Sequence, residues 1–143
     1  MNLTNLGVGI CDACEQIYSI ILKKQFLTVN KVQYTPQRES SGKVTEESIT
    51  FTIANESSHD NEVQRIWFLT SFNRPIFSEL IDSKMPVKML VNDRATFSMP
   101  IEELKAALNR TVEETITDVV VLDKNERHNF GRIEQPAQEA FAR

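Results

Sequence analysis

The sequence predicts a mainly β fold, an all-β sandwich with a few helices, and three observations carry that expectation. Ile49, Phe51 and Ile53 alternate with Ser48, Thr50 and Thr52 along Ser48–Asn55. Successive strand side chains point to opposite faces, so this run has one buried and one wet face. Similar β-rich runs recur to about Leu122, separated by polar turn clusters. The chain has 143 residues, 41% hydrophobic and 25% charged, which fits one ordinary domain with a core of its own.

Residues 1–25 are expected to be a helical segment packed on, or extending from, a β-sandwich domain at 26–133. Residues 134–143 are expected to be a tail or short helix. From about Ile10 to Gln25, Ala13, Ile17, Ile20 and Ile21 fall at helical spacing. Asp12 and Glu15 come early and Lys23 and Lys24 late, which suits the helix dipole. Two readings stay open for this stretch. It packs on its own domain, or Ile17, Ile20 and Ile21 form an interaction surface that meets a second copy.

Phe26–Tyr34 then alternates like a strand, and Pro36 is expected to end it for want of an amide hydrogen. Gln37–Lys43 has loop composition. After the strand at Ser48–Asn55, the turn cluster Asn55–Asn61 leads into Val63–Thr70. There Ile66 and Phe68 face one side and Trp67 and Leu69 the other. Apolar residues on both sides imply a strand covered on both faces, or one whose outer face the N-terminal helix shields. Trp67 reads most simply as a core anchor.

Asn73–Pro75 is a turn, and Ile76–Ile81 fits either a helical turn or a short strand. Pro86–Val91 and Arg94–Met99 flank Asn92 and Asp93, which predicts a β-hairpin with a two-residue turn. That register sets Val87, Met89 and Val91 on one face, across from Thr96. Pro100–Leu108 predicts a short helix, with proline at its first position, Glu102 and Glu103 early, and Ile101, Leu104 and Leu108 as its stripe. Thr115–Leu122 predicts a buried strand, and Arg127–Ile133 a short edge strand. At the end, 137–142 is either a frayed helix resting Phe141 on the body or loose.

The bulk numbers narrow the function. A net charge of −4 disfavours phosphate backbones, so nucleic acid is not an expected partner. No run approaches the roughly 18 apolar residues needed to span a bilayer. Ile17–Leu22 is short and lacks a basic leader, so a cytoplasmic location is the expectation. The two cysteines form one Cys11-x-x-Cys14 pair. A redox pair follows a strand, and zinc needs two more ligands, so these thiols are read as small packing residues.

The order of pieces also carries a resemblance. A strand ends in Ile53-Ala-Asn55, and a strand with Trp67-Phe-Leu69 follows. Met85-Pro-Val-Lys-Met-Leu90, the Asn92-Asp-Arg94 turn, Pro100-Ile-Glu-Glu-Leu104 and Asp118–Asn125 come after. This resembles small bacterial immunoglobulin-like β-sandwich domains of uncharacterised proteins, over roughly Ser48 to Ile133. Asn92-Asp93 stands where proline-glycine is common in them, and Glu126-Arg127 replaces their usual glycine. Those relatives often carry an N-terminal membrane anchor, which is not expected here. The resemblance implies an immunoglobulin-like fold and no catalytic residue.

Candidate chemistry is thin. With four glycines, a phosphate-cradling loop is nearly excluded. His59 beside Asp60 lies in a turn cluster and reads as solvated surface, and His128 as edge-strand polarity. Glu102-Glu103 fits a helix start, and Glu113-Glu114 a loop. Asp123–Glu126 lacks the oxygen run of a calcium loop. Asn2, Asn55 and Asn109 match a glycosylation pattern that matters only after secretion. No catalytic residue, cofactor or metal is expected. The leading expectation is a non-catalytic module that binds a protein partner. The alternatives are an assembly protein that forms a homo-oligomer through its N-terminal helix, and an enzyme with an unfamiliar site.

Overall fold

The computed structural model describes residues 26–143, so the N-terminal segment with Ile17, Ile20, Ile21, Cys11 and Cys14 lies outside the described residues. The described chain is mainly β and builds two antiparallel sheets over one core. In order it contains β1 (Thr28–Val29), β2 (Gln33–Arg38), β3 (Val44–Ala54), β4 (Asn61–Thr70), β5 (Pro75–Ile76), α1 (Glu79–Asp82), β6 (Val87–Met89), β7 (Arg94–Pro100), α2 (Ile101–Lys105), a 3-10 turn (Arg110–Val112), β8 (Ile116–Asp123), β9 (His128–Arg132) and α3 (Gln135–Ala142).

In the first sheet, β3 is flanked by β7 on one side and by β1 and β2 on the other. In the second, β4 pairs with β5 and β6 along one side and with β8 along the other, and β9 closes the order beyond β8. The alternation in β3 does what its pattern implies. Ile49, Phe51 and Ile53 are buried, and Phe51 meets Phe68 of the opposite sheet edge-on at 6.1 Å and stacks on Phe97 at 5.6 Å. Both sheets, α2 and α3 feed this single cluster, with Ile101, Leu104 and Phe141 fully covered. The tail is thus a helix, and Phe141 is its anchor.

Between β1 and β2, both in the first sheet, the chain touches the second sheet at Val32. The Val32 amide donates to the Arg132 carbonyl at 3.0 Å, and the Glu134 amide donates to the Val32 carbonyl at 2.9 Å. Val32 and Ile133 therefore form a parallel bridge, so residues 26–32 run beside β9 in its own direction. Gly131 makes room for this close approach, because a Cβ there would lie 2.5 Å from Val29 Cγ1.

Four expectations are corrected. Pro36 does not end a strand but sits inside β2, opposite Glu47 of β3. It is tolerated because β2 is an edge strand whose outer side needs no donor. The turn at Asn92-Asp93 exists, with Asn92 at φ 71°, yet Val87–Met89 and Arg94–Pro100 are not partners. β6 pairs with β4, and β7 pairs with β3, so the turn carries the chain from one sheet to the other. Pro100 precedes α2 as its N-cap instead of opening it. Trp67 is not a core anchor. It lies half-buried on the outer face of the second sheet, while its neighbours Ile66 and Phe68 are buried inside.

Candidate docking face

The two sheets differ most on their outward sides. On the first, Thr35 and Thr50 hydroxyls lie 3.1 Å apart, Thr50 and Ser98 3.2 Å, and Thr52 and Thr96 2.9 Å. This is a hydroxyl lattice suited to water. On the second, cross-strand register lines up apolar groups instead. Trp67 of β4 stands opposite Val120 of β8, which stands opposite Phe130 of β9. Phe130 is 59% exposed, the highest value among the exposed large hydrophobic residues, although Val120 beneath this row is only 2% exposed. Phe77 extends the patch from the β5 side, its ring 6.0 Å from Trp67.

A polar rim surrounds the row. The Arg65 guanidinium lies 3.8 Å from the centre of the Phe77 ring, a favourable cation–π arrangement. His128 meets Trp67 edge-on at 5.6 Å, so this histidine belongs to the face instead of merely decorating an edge. Asp118 stands opposite Arg132 across the β8–β9 ladder. An aromatic centre with charged residues at its margin is the make-up of protein recognition surfaces.

The loop end beside it is held rigid. The buried Asn55 side chain donates to the carbonyls of Met89 at 2.7 Å and His59 at 2.9 Å. Asp60 accepts from the Val91 amide at 3.0 Å. Asp123 Oδ1 accepts from the Asn125 and Arg127 amides, which shapes the β8–β9 turn. His59 and Asp60 line a polar hollow of about 330 Å³ here with Lys124 and Arg127. Asp60 thus has one carboxylate oxygen engaged by the backbone of the β6–β7 turn. Asn55 is likewise committed inside and presents no side-chain amide at the surface.

At the opposite end lies a charge pair that local sequence does not reveal. Glu114 is buried. Its carboxylate accepts from Arg74 Nε at 2.9 Å and Nη2 at 2.5 Å, from Thr70 Oγ1 at 2.7 Å and from the Asn109 amide at 2.9 Å. The Arg74 guanidinium first, and then the Thr70 hydroxyl and Asn109 amide, pull its pKa down to about 2 against the opposing effect of burial. The preceding Glu113 takes a left-handed backbone at φ 54°. The pair fastens the β4–β5 turn to the stretch before β8, and its lone pairs are spent there.

A groove of about 610 Å³ runs beside this pair, between the 3-10 turn and α3. Its Arg110 donates to the carbonyls of Phe141 at 2.7 Å and Arg143 at 2.5 Å, which caps the C-terminal helix. Arg143 in turn pairs with Glu47, and Glu47 also accepts from the Tyr34 hydroxyl. Glu102 and Glu103 occupy the first turn of α2, as a helix start favours. Among the described residues no group of three His, Cys, Asp or Glu is placed to hold a metal. No helix of the described residues is long and apolar enough to cross a membrane.

Sequence reasoning noted the two-sided apolar character of Val63–Thr70 but assigned Trp67 inward. Phe77 and Phe130 drew no attention, because each stands in a short segment without clear alternation. No known family model matches this chain, and no curated protein or solved structure matches it.

Proposed function

We propose that this protein is a non-catalytic interaction module that holds a protein partner on the outer face of its second sheet. The observation that carries the reading is the contrast between the hydroxyl lattice on one outer face and the Trp67–Val120–Phe130 row on the other. Burying large aromatic side chains gives most of the affinity of typical interfaces. An exposed Phe130 beside Trp67 and Phe77 offers that anchor, and Arg65, Asp118 and Arg132 offer orientation. The groups with strong acid–base character, Glu114 and Arg74, are consumed by each other, which favours recognition over catalysis.

An immunoglobulin-like sandwich is the finer reading of the fold. Its support is the strand order, in which β3 beside β7 and β4–β8–β9 match the two layers of a seven-strand sandwich of that kind. The functional test compares capture of proteins from the producing organism by the wild type, by Phe130→Asp on the face, and by Thr96→Asp on the hydroxyl lattice. The reading expects a protein retained by the wild type and by Thr96→Asp, and lost with Phe130→Asp. Equal capture by all three, or loss through Thr96→Asp alone, overturns it.

A further inference from the structure

We infer that the chain pairs with a second copy of itself, edge to edge through β7, in antiparallel register about a two-fold axis at Thr96. The contact lies on the first sheet, apart from the aromatic face. Among the described residues β7 is the one long strand margin left open. The opposite margin of its sheet is β2, which holds Pro36 and a register shift between Gln37 and Arg38. In the second sheet, the stretch through Val32 lies along β9. The other margin there is made of β5, of two residues, and β6, of three. Proline, irregularity, cover and shortness are the means by which folds keep strand edges from pairing. β7 has none of these. It runs for seven residues, meets β3 without a register shift, and carries no charge or proline between Ala95 and Met99.

The backbone of β7 shows what its edge offers. The Asn30 amide donates to the Thr52 carbonyl at 2.9 Å, so Thr52 turns its backbone toward β1. Its neighbours Phe51 and Ile53 therefore turn theirs toward β7, where they stand opposite Phe97 and Ala95. By the same alternation, the amides and carbonyls of Arg94, Thr96 and Ser98 point away from β3. No described strand other than β3 pairs with β7. A second copy turned about Thr96 meets each of these groups with its complement. Thr96 faces the second copy's Thr96, and Arg94 faces the second copy's Ser98, each amide donating to the carbonyl opposite.

Side chains agree with that register. The Thr52 and Thr96 hydroxyls, 2.9 Å apart, continue into the same pair of the second copy, so the hydroxyl lattice crosses the join. On the inner side, the small Ala95 stands opposite the large Phe97. Charge selects the antiparallel sense. Arg94 opens β7, and Glu102 and Glu103 follow its end in α2. The two-fold axis carries each basic end toward the other copy's acidic end, whereas a parallel pairing would set like charge on like. Asp93 does not cancel this, because its carboxylate turns back to accept from the Leu90 amide at 2.9 Å. Arg94 is held only by Glu56 at 3.5 Å, with both side chains 60% exposed. One short edge is a small contact, so the dimer is weak and reversible. Both aromatic faces stay outside it, and each copy holds a partner with or without its twin.

The test uses the full chain in sedimentation equilibrium and hydrogen exchange. The mass of the wild type is expected to climb toward twice the monomer value as concentration rises. The amides of Arg94, Thr96 and Ser98 should slow in step with it, while those of Ala95 and Phe97 stay protected throughout. Ser98→Lys sets a lysine against the second copy's Arg94 and is expected to weaken association about tenfold. The double variant Arg94→Glu/Ser98→Lys restores opposite charges at the same place and is expected to recover wild-type association. A monomer mass at every concentration up to about 1 mM overturns the inference. So does a dimer indifferent to Ser98→Lys, or one that the double variant fails to recover. Slow exchange of the three amides at every concentration overturns it in favour of another segment of the same chain on this edge. The functional reading is judged separately, since Ser98→Lys is expected to lose the dimer and keep the partner, and Phe130→Asp the reverse.

Discussion

Gly131→Ala probes the place where the chain around Val29 packs against β9 of the second sheet, and the outcome depends on two opposed effects. Alanine is intrinsically better than glycine inside a strand by about 0.5–1 kcal/mol, through lost freedom of the unfolded chain. Against that, the added Cβ would sit 2.5 Å from Val29 Cγ1, 2.9 Å from Val119 Cγ1 and 3.1 Å from the Asn30 carbonyl oxygen. Valine has little rotamer freedom with which to yield. The Asn30 backbone cannot retreat easily, because its amide is bonded to the Thr52 carbonyl at 2.9 Å. Overpacking of this kind costs about 1–3 kcal/mol, so the clash wins and the net loss is about 1–2 kcal/mol. For a chain of this size that is a fall in Tm of roughly 3–8 °C. Urea unfolding followed by far-UV circular dichroism measures it. Repeating the change in a Val29→Ala background is expected to recover about 1 kcal/mol, since the two sites share one contact. A neutral or stabilising Gly131→Ala would refute the reasoning, as would an equal cost with and without Val29.

Further outcomes follow from the same contacts. Because Glu114 has its pKa lowered from 4.5 to about 2, it adds stability that is complete above the ordinary carboxylate range and is lost as pH falls toward 2. Acid unfolding of the wild type should therefore be steeper than that of Glu114→Gln over that interval, and parallel curves would contradict the pairing. Phe51→Ala removes a ring that touches both Phe68 and Phe97, and is expected to cost about 3–5 kcal/mol in urea titrations. Arg110→Ala frees the carbonyls of Phe141 and Arg143, so hydrogen exchange should quicken in α3 while β3 and β8 keep their protection.

Some of this architecture was legible in the residues and some could not have been. β3, β4 and β8 announce themselves because inward and outward positions differ in polarity, and that difference is local. The pairing of β6 and β7 is not local. Asn92 and Asp93 report the backbone conformation of a turn, and the same conformation serves a hairpin or a crossing between layers. Trp67 deceived for a related reason. A large aromatic side chain favours burial, but the inner positions of β4 were already filled by Ile66 and Phe68. The Arg74–Glu114 pair joins residues 40 apart along the chain, and nothing near either one hints at the other. The docking face was half visible. Its β4 strip was noted as apolar, whereas Phe77 and Phe130 needed the strand order to bring them alongside.

The bridge at Val32 gives the molecule a single fate under stress. One short stretch of backbone belongs to β3's neighbourhood on one side and grips both Arg132 and Glu134 on the other. Neither layer can peel away alone without tearing that seam. Melting should therefore be all-or-none, and the Val32 amide should exchange its proton only when the whole body opens.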